Sequence, residues 1–198
     1  NLSIAHNIRL MNKFYNQEDF ANLIETARSE KNWKNLRTYI SILGEYSTYM
    51  TEKQKLMTHR FLLELLVHKE SDIRNQAAEV IGQIIAQFNE EYKKELPAGV
   101  APPHKDITNL SLWADTLRAV LIPDHKLTDQ HKKWMENSLK SIAYALLSSV
   151  SPDRRTAYAD QLLDWYRSDS LTYRNKESLL QTAVMLEPHF FTPEQIAH

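Results

Sequence analysis

Apolar residues recur at intervals of three and four positions along most of the chain, and this spacing constrains the fold more than any other feature. One such stripe consists of Ile73, Ala77, Ile81 and Ile84. Side chains at these intervals share one face of an α-helix, whereas a half-buried strand alternates apolar and polar residues. Strand-like alternation is missing almost everywhere, and the chain has only 3 Gly. The sequence therefore predicts an all-α fold in which this stripe is buried between neighbouring helices.

Capping signals mark where several of the helices begin. Thr51 and Gln54 have the spacing of a capping box, in which two side chains satisfy open N–H groups of the first turn. Thr128 is a capping hydroxyl in front of apolar residues that continue to Val150. We therefore expect one helix to begin after Thr51 and a single long helix to extend from Thr128 to about Val150. A first helix is predicted over residues 4–15.

A further capping signal lies close to the last residue of the sequence. Thr192 precedes Pro193, which is favoured at the first helical position, and Gln195 completes the capping-box spacing. A helix is therefore expected to begin where the sequence stops, and the first residue is Asn rather than Met. Together these features predict that the 198 residues are a segment of a longer protein.

The one long irregular segment is LPAGVAPPHKD, residues 96–106, which contains three prolines. Proline lacks an N–H donor and biases the residue before it away from helix. The sequence therefore predicts N-terminal helical repeats over 1–95, a proline-rich connector over 96–106 and C-terminal helical repeats over 107–198.

Short segments on different helices echo one another. Residues 42–44 (ILG) match residues 80–82 (VIG), and residues 74–75 (RN) match residues 174–175. Helices predicted to start near residues 31, 70, 128 and 170, three of which contain these echoes, are the second helices of successive pairs. They recur with a period of about 40 residues, and the one longer interval contains the proline-rich segment. Two helices per period of this length are typical of an α-solenoid.

The segment 72–82 resembles the second helix of a HEAT repeat, which begins with an Asp-Val-Arg-like triplet followed by small and aliphatic residues. The matching residues are Asp72-Ile73-Arg74, then Ala77-Ala78 and Val80-Ile81-Gly82. The resemblance is good for residues 52–88, fair for 151–187 and poor for 1–46. At Arg174 the triplet reads Thr-Tyr-Arg, so the acidic residue of the family is missing there.

This resemblance implies a right-handed α-solenoid of antiparallel helix pairs, a HEAT-like or armadillo-type superhelix. It also implies that Asp72 and Arg74 act as rungs between neighbouring repeats, in a ladder that is incomplete around Arg174. An irregular helical bundle is the alternative fold for the same pattern of helices.

Motifs that carry catalysis are not found in this sequence. Three scattered glycines do not make a phosphate-binding loop, and GxSxG and HExxH are absent. The densest polar cluster is PDHKLTDQH, residues 123–131, where His125 and His131 are six positions apart and share no helical face. We interpret Asp124 as a turn residue and Asp129 as a first-turn acid. The sequence predicts no catalytic residue, no metal site and no cofactor.

Histidine and tryptophan side chains within the predicted helices admit a structural interpretation and a functional one. His59 and His68 on a leucine-rich helix are interpreted as a partly buried and a helix-end histidine, in preference to catalytic bases or metal ligands. Trp33, Trp113 and Trp165 lie on apolar stripes, so we expect core packing. The alternative is a DNA-binding surface like that of the HEAT-like DNA glycosylases, in which aromatic residues contact the nucleic acid.

The charge balance limits the classes of partner. Lys and Arg number 24 against 25 Asp and Glu, and a dedicated nucleic-acid binder usually has a basic excess. The apolar runs are too short to predict a membrane span. Because the chain has no Cys, it has no disulfide or thiol chemistry, and this composition favours the cytoplasm.

Taken together, these features predict a non-catalytic helical-repeat module that binds a protein, or another domain of its own chain, on an extended helical surface. Arg37, Arg74 and Arg174, polar residues on second helices, are the predicted partner-binding residues, with equal weight on a purely structural role. Nucleic-acid binding, as in DNA repair, and an enzyme with an unrecognised site are the two alternatives.

Overall fold

A computed structural model describes residues 17–88, 109–121, 127–150, 155–169, 171–186 and 191–197. These residues form α-helices and one 3₁₀ turn, with no strand among them, so the all-α prediction is confirmed for the described part. The helices are α1 Gln17–Ser29, α2 Trp33–Tyr46, α3 Glu52–Leu65, α4 Ser71–Ala86, α5 Asn109–Leu121, α6 Asp129–Asn137, α7 Leu139–Ser148, α8 Arg155–Arg167, α9 Tyr173–Leu186 and α10 Pro193–Ile196. None of these described helices combines the length and apolar content needed to cross a membrane.

Both predicted capping boxes are confirmed. At the start of α3 the Gln54 backbone N–H donates to Thr51 Oγ1 at 3.2 Å, and the Thr51 N–H donates to Gln54 Oε1 at 3.0 Å. Thr192 and Gln195 make the same reciprocal pair at the start of α10. Each box satisfies two N–H groups that the first turn of a helix leaves open, which fixes where the helix begins.

The prediction of a single long helix from Thr128 to Val150 is wrong. Thr128 does cap α6, but the helix ends at Asn137, and α7 begins at Leu139. Ser138 between them has φ −105° and ψ 9°, outside the helical region, and its hydroxyl accepts a hydrogen bond from Arg74 Nε at 2.7 Å. The apolar spacing of residues 128–150 gives no sign of this break.

Two predictions concern segments that the structure does not describe. The first helix, over residues 4–15, and the proline-rich connector, over 96–106, lie outside the described residues. Buried apolar residues from both sides of that connector belong to one hydrophobic core. The division of the chain at 96–106 stays a prediction.

The predicted apolar stripe on α4 is confirmed as part of this core. All four of its residues are buried: Ile73, Ala77, Ile81 and Ile84. Trp113 on α5 is also fully buried and meets the Tyr158 ring on α8 edge to face, with 5.1 Å between the ring centroids. Trp33 and Trp165 are partly buried and pack against the core, so the packing interpretation of these tryptophans is confirmed.

Helices α2, α4, α7 and α9 make successive contacts: α4 packs against α2 and α7, and α7 packs against α9. Between α2 and α4, Ser41 is hydrogen-bonded to Gln76, and the later residue Ser47, just beyond α2, is hydrogen-bonded to the later residue Gln87. From α4 to α7, Arg74 meets Ser138 near the starts of the two helices, and Gly82 meets Ala145 further along. Helices α2, α4 and α7 therefore run in the same direction. Helix α4 also packs on α3 and α5, and α9 on α5 and α8.

The inner face of α3 carries polar as well as apolar residues. His59 is buried, and its Nε2 lies 2.8 Å from Thr116 Oγ1 on α5. Since the Thr116 hydroxyl donates its only hydrogen to Leu112 O, the imidazole must be the donor and carries a proton on Nε2. Burial lowers the pKa of His59 to about 4.

This pKa makes the stability of the fold depend on pH. Above pH 6.5, the ordinary pKa of the side chain, His59 is neutral in both folded and unfolded chains and its contribution is complete. As the pH falls towards 4, the unfolded chain binds a proton that the folded chain does not. We therefore expect His59 to remove about 3 kcal/mol of unfolding free energy across this range.

Denaturant titrations of the wild type and of His59→Gln measure this effect. Glutamine can donate a hydrogen bond but does not titrate, so the difference in unfolding free energy between the two proteins should change steadily from pH 6.5 to 4. All other titrating groups are common to both proteins. A difference that is constant with pH would contradict the buried neutral histidine.

Candidate functional site

A groove runs along the outer side of the contact between α4 and α7, and we call it the α4–α7 groove. It has a volume of about 680 Å³. Small residues form its floor because the helices approach closely where Gly82 faces Ala145. The lining residues are Asn75, Glu79, Gly82, Gln83 and Ala86 on α4, and Lys140, Ser141, Tyr144, Ala145, Ser148 and Ser149 on α7.

A second groove of about 360 Å³ lies on the other side of α4, against α2, and we call it the α2–α4 groove. Its floor is Gly44 and the buried Val80. At one end Gln76 Nε2 donates to Ser41 Oγ at 2.7 Å and ties the two helices together. The lining residues are Ser41, Gly44 and Glu45 on α2, and Gln76, Glu79, Val80 and Gln83 on α4.

Glu79 and Gln83 line both grooves, so α4 is a ridge between them. Both side chains are exposed. Among the described residues that line it, the α2–α4 groove has two carboxylates, those of Glu45 and Glu79, and no Lys or Arg, whereas the α4–α7 groove includes Lys140. The two grooves therefore differ in charge, with the negative one on the α2 side.

The surface becomes more apolar in the direction of α7 and α9. Tyr144 on the α7 side of the α4–α7 groove is 72% exposed. On α9, which packs against α7, Tyr173, Leu180 and Val184 are also exposed and share one helical face. Exposed aromatic and aliphatic side chains grouped on adjacent helices are typical of an interaction surface.

Of the three predicted partner-binding arginines, one is exposed and one is buried in the structure. Arg37 is exposed on α2. Arg74 is only 5% exposed, and besides its bond to Ser138 its Nη1 donates to the carbonyl oxygens of residues 68 and 69, at 2.7 and 3.0 Å. These contacts fit the structural role considered for Arg74. The side chain of Arg174 lies outside the described part, and partner binding by these arginines stays a prediction.

The other polar candidates occupy ordinary structural positions. His68 follows the end of α3 and its Nδ1 accepts a hydrogen bond from the Glu70 N–H at 3.0 Å, which confirms the helix-end interpretation. Asp129 is exposed in the first turn of α6, as expected. Asp124 and His125 lie outside the described residues. Within the part of the chain that the structure describes, no group of three or more His, Asp or Glu side chains could hold a metal ion.

Nothing in the sequence predicts that Gly44, Val80 and Gly82, which occur in its echoes, line grooves. The one signal that points to them is the match between residues 42–44 and 80–82, because Gly44 and Gly82 end the two matching segments and each lies against the next helix of the series. Tyr144 and Glu79 carry no such signal. A scan against protein-family models and searches of curated proteins and of solved structures found no match to this chain. Only the geometry and charges of the grooves therefore bear on what could occupy them.

Replacing Gly82 by alanine is expected to destabilise the fold. A β-carbon at this position would lie 2.9 Å from the backbone oxygen of Ala145, closer than non-bonded carbon and oxygen atoms approach, so α4 and α7 would have to separate. Overpacking of this kind costs about 1–3 kcal/mol, and the better helix propensity of alanine offsets only part of it. Chemical denaturation of the Gly82→Ala variant measures the loss.

Gly44→Ala is the matched control. Its β-carbon would lie 3.2 Å from Val80 Cγ2, a side-chain methyl that can shift slightly. We expect this variant to retain the wild-type stability within about 0.5 kcal/mol or to gain from the helix propensity of alanine. Equal effects of the two substitutions would contradict the close approach of α4 and α7.

Proposed function

We propose that this chain is a HEAT-like α-solenoid module, non-catalytic, that binds an extended segment of another protein, or of another domain of its own chain, across the two grooves that flank α4. The single observation that carries the proposal is the pair of neighbouring grooves, which share the exposed ridge of Glu79 and Gln83. The absence of Cys agrees with a module of this kind in the cytoplasm.

The order of the helices supports the solenoid. In a solenoid of helix pairs, second helices follow one another along one face in the same direction, and each contacts its neighbours in sequence order. Helices α2, α4, α7 and α9 make successive contacts of this kind, and the first three run parallel. The Arg74 bond to Ser138 links two successive members of the series, like the rungs implied by the HEAT resemblance.

The shape and composition of the grooves support protein binding. Solenoids bind along the surface made by equivalent helices, through many modest contacts. Here the floor is Gly44 and Val80 in one groove and glycine and alanine in the other, which leaves room for side chains of a partner. The walls offer amide, hydroxyl and carboxylate groups for hydrogen bonds. Exposed Tyr144 adds the kind of side chain that is enriched among residues with large contributions to binding energy.

Nucleic-acid binding is the alternative that the charge distribution disfavours. Phosphate contacts need Lys or Arg, and the release of counterions drives such binding. The described residues that line the grooves include the carboxylates of Glu45 and Glu79 and a single basic side chain, that of Lys140. We expect no complex with duplex or single-stranded oligonucleotides tighter than ~10 µM at physiological salt, measured by fluorescence anisotropy. Submicromolar, salt-sensitive binding would put the nucleic-acid alternative first.

Selection from a random peptide display library tests the proposed function. We expect selected peptides to lose binding at least about tenfold to Ser148→Trp, which fills the α4–α7 groove, and to Tyr144→Ala, which removes an exposed aromatic wall. The expected result is therefore a set of peptides that depend on this groove.

Two substitutions outside the grooves serve as controls. Ser29 on α1 is exposed and, like Ser148, donates its hydroxyl to the carbonyl four residues earlier, so Ser29→Trp matches Ser148→Trp. Tyr49 is 71% exposed and matches Tyr144, so Tyr49→Ala matches Tyr144→Ala. A library that yields no binder, or binders insensitive to both groove substitutions, would contradict the proposed function.

A further inference from the structure

We infer that the segment bound across α4 carries a basic side chain and an apolar side chain three positions apart in an extended, polyproline II-like conformation. The Lys or Arg enters the α2–α4 groove and the apolar residue enters the α4–α7 groove. This inference rests on the proposed function and names the chemistry of the partner.

The charge of the α2–α4 groove selects the basic residue. Glu79 is exposed and makes no hydrogen bond or ion pair with any other described residue, so its carboxylate is available to a ligand. Glu45 on the α2 wall carries a second carboxylate, and no Lys or Arg is among the described residues that line this groove. A cation placed here meets the Glu79 carboxylate, whereas an acidic side chain would be repelled by it.

The floor of the α4–α7 groove selects the apolar residue. Gly82, Ala86 and Ala145 present backbone and methyl groups, and the Tyr144 ring is exposed on the α7 side. A leucine, phenylalanine or proline side chain in this groove covers the apolar floor and contacts the ring. Burial of apolar area is the main favourable term in such a contact, so this groove is the larger source of affinity.

The distance between the grooves sets the spacing of the two residues. Neighbouring helices pack about 8–10 Å apart, and grooves on either side of α4 are separated by a similar distance. A polyproline II segment has three residues per turn and advances about 3.1 Å per residue, so residues i and i+3 point to the same side about 9 Å apart. Side chains two apart in a strand, about 6.8 Å, are too close together. Either chain direction gives the same spacing.

The direct test uses fluorescein-labelled, proline-rich synthetic peptides in an anisotropy titration. The reference peptide carries one lysine three positions before a leucine, and a second peptide has the reverse order. Analogues replace the lysine by glutamine, replace the leucine by serine, or reduce the spacing to two. We expect at least one of the two orders to bind the wild type and each of its analogues to bind at least about tenfold more weakly.

Charge reversal on the protein completes the test. Glu79→Lys should weaken binding of the lysine peptide by at least about tenfold and should improve binding of an analogue with glutamate in place of lysine. Glu136→Lys is the matched control, since Glu136 is exposed on α6 and lines neither groove. Both substituted positions lie on helix surfaces, and glutamate and lysine are both good helix formers, so the fold should persist.

The outcomes separate this inference from the proposed function. Library peptides that depend on Ser148 and Tyr144 but bind Glu79→Lys as well as wild type overturn the inference and leave the proposed function standing. Failure of both reference peptides to bind, or equal binding of the glutamine analogue, also overturns it. Failure of the library to yield any groove-dependent binder overturns both.

Discussion

Ile81→Ala is expected to lower the free energy of unfolding by about 2–5 kcal/mol, from lost transfer energy and from the cavity that remains. Ile81 is 1% exposed on α4, the helix that packs against α2, α3, α5 and α7. Because helices surround this position on several sides, the backbone has little freedom to close around the missing atoms. Denaturant titration of the variant measures the loss.

Two further substitutions calibrate this result. Ile81→Val removes one methylene group and should cost about 0.5–1.5 kcal/mol. Gln83→Ala on the exposed side of the same helix should change stability by no more than about 0.5 kcal/mol. A loss below about 0.5 kcal/mol for Ile81→Ala would contradict the assignment of this face of α4 to the core.

Arg74→Met is expected to destabilise the fold by about 2–4 kcal/mol. Methionine retains much of the apolar stem but removes the guanidinium, which donates to the carbonyl oxygens of His68 and Lys69 and to the Ser138 hydroxyl. The two carbonyl oxygens and the hydroxyl then lose the charged group that donates to them. The same change should loosen the junction between α6 and α7, because Ser138 occupies the break between them.

Arg37→Met is the control for this prediction. Arg37 is exposed on α2, and its replacement should change stability by no more than about 0.5 kcal/mol. Thermal or chemical denaturation of the two variants distinguishes a structural arginine from a surface one. Equal stability of Arg74→Met and Arg37→Met would contradict the structural role of Arg74.

Local signals in the sequence predicted the helices well, and contacts between distant residues explain what they missed. The stripe on α4 and the capping boxes at Thr51 and Thr192 depend on residues within a few turns of one another, so they can be read directly from the sequence. At the break between α6 and α7, Ser138 accepts a hydrogen bond from Arg74, which lies on another helix. A pattern confined to one helix cannot reveal that contact.

The candidate site was harder to predict than the helices. The grooves exist because Gly82 lies against Ala145 and Gly44 against Val80, and these neighbours are fixed only when the helices pack. Without that packing, nothing in the sequence distinguishes Glu79 from the other acidic residues of the chain. The three arginines were predicted as polar residues on second helices, and only Arg74 belongs to the HEAT-like triplet. Its burial shows that a charge in such a motif can serve the core instead of the surface.

The most direct measurement of the central claim is an amide chemical-shift titration of isotope-labelled protein with the tightest-binding peptide from the library selection. Binding across α4 predicts that the largest shift changes fall on groove residues of α4 and α7, including Gly82, Gln83 and Ala145, with a second group around Gly44. Changes confined to α1 and α3, for example around the exposed Arg60, would place the peptide elsewhere and contradict the account.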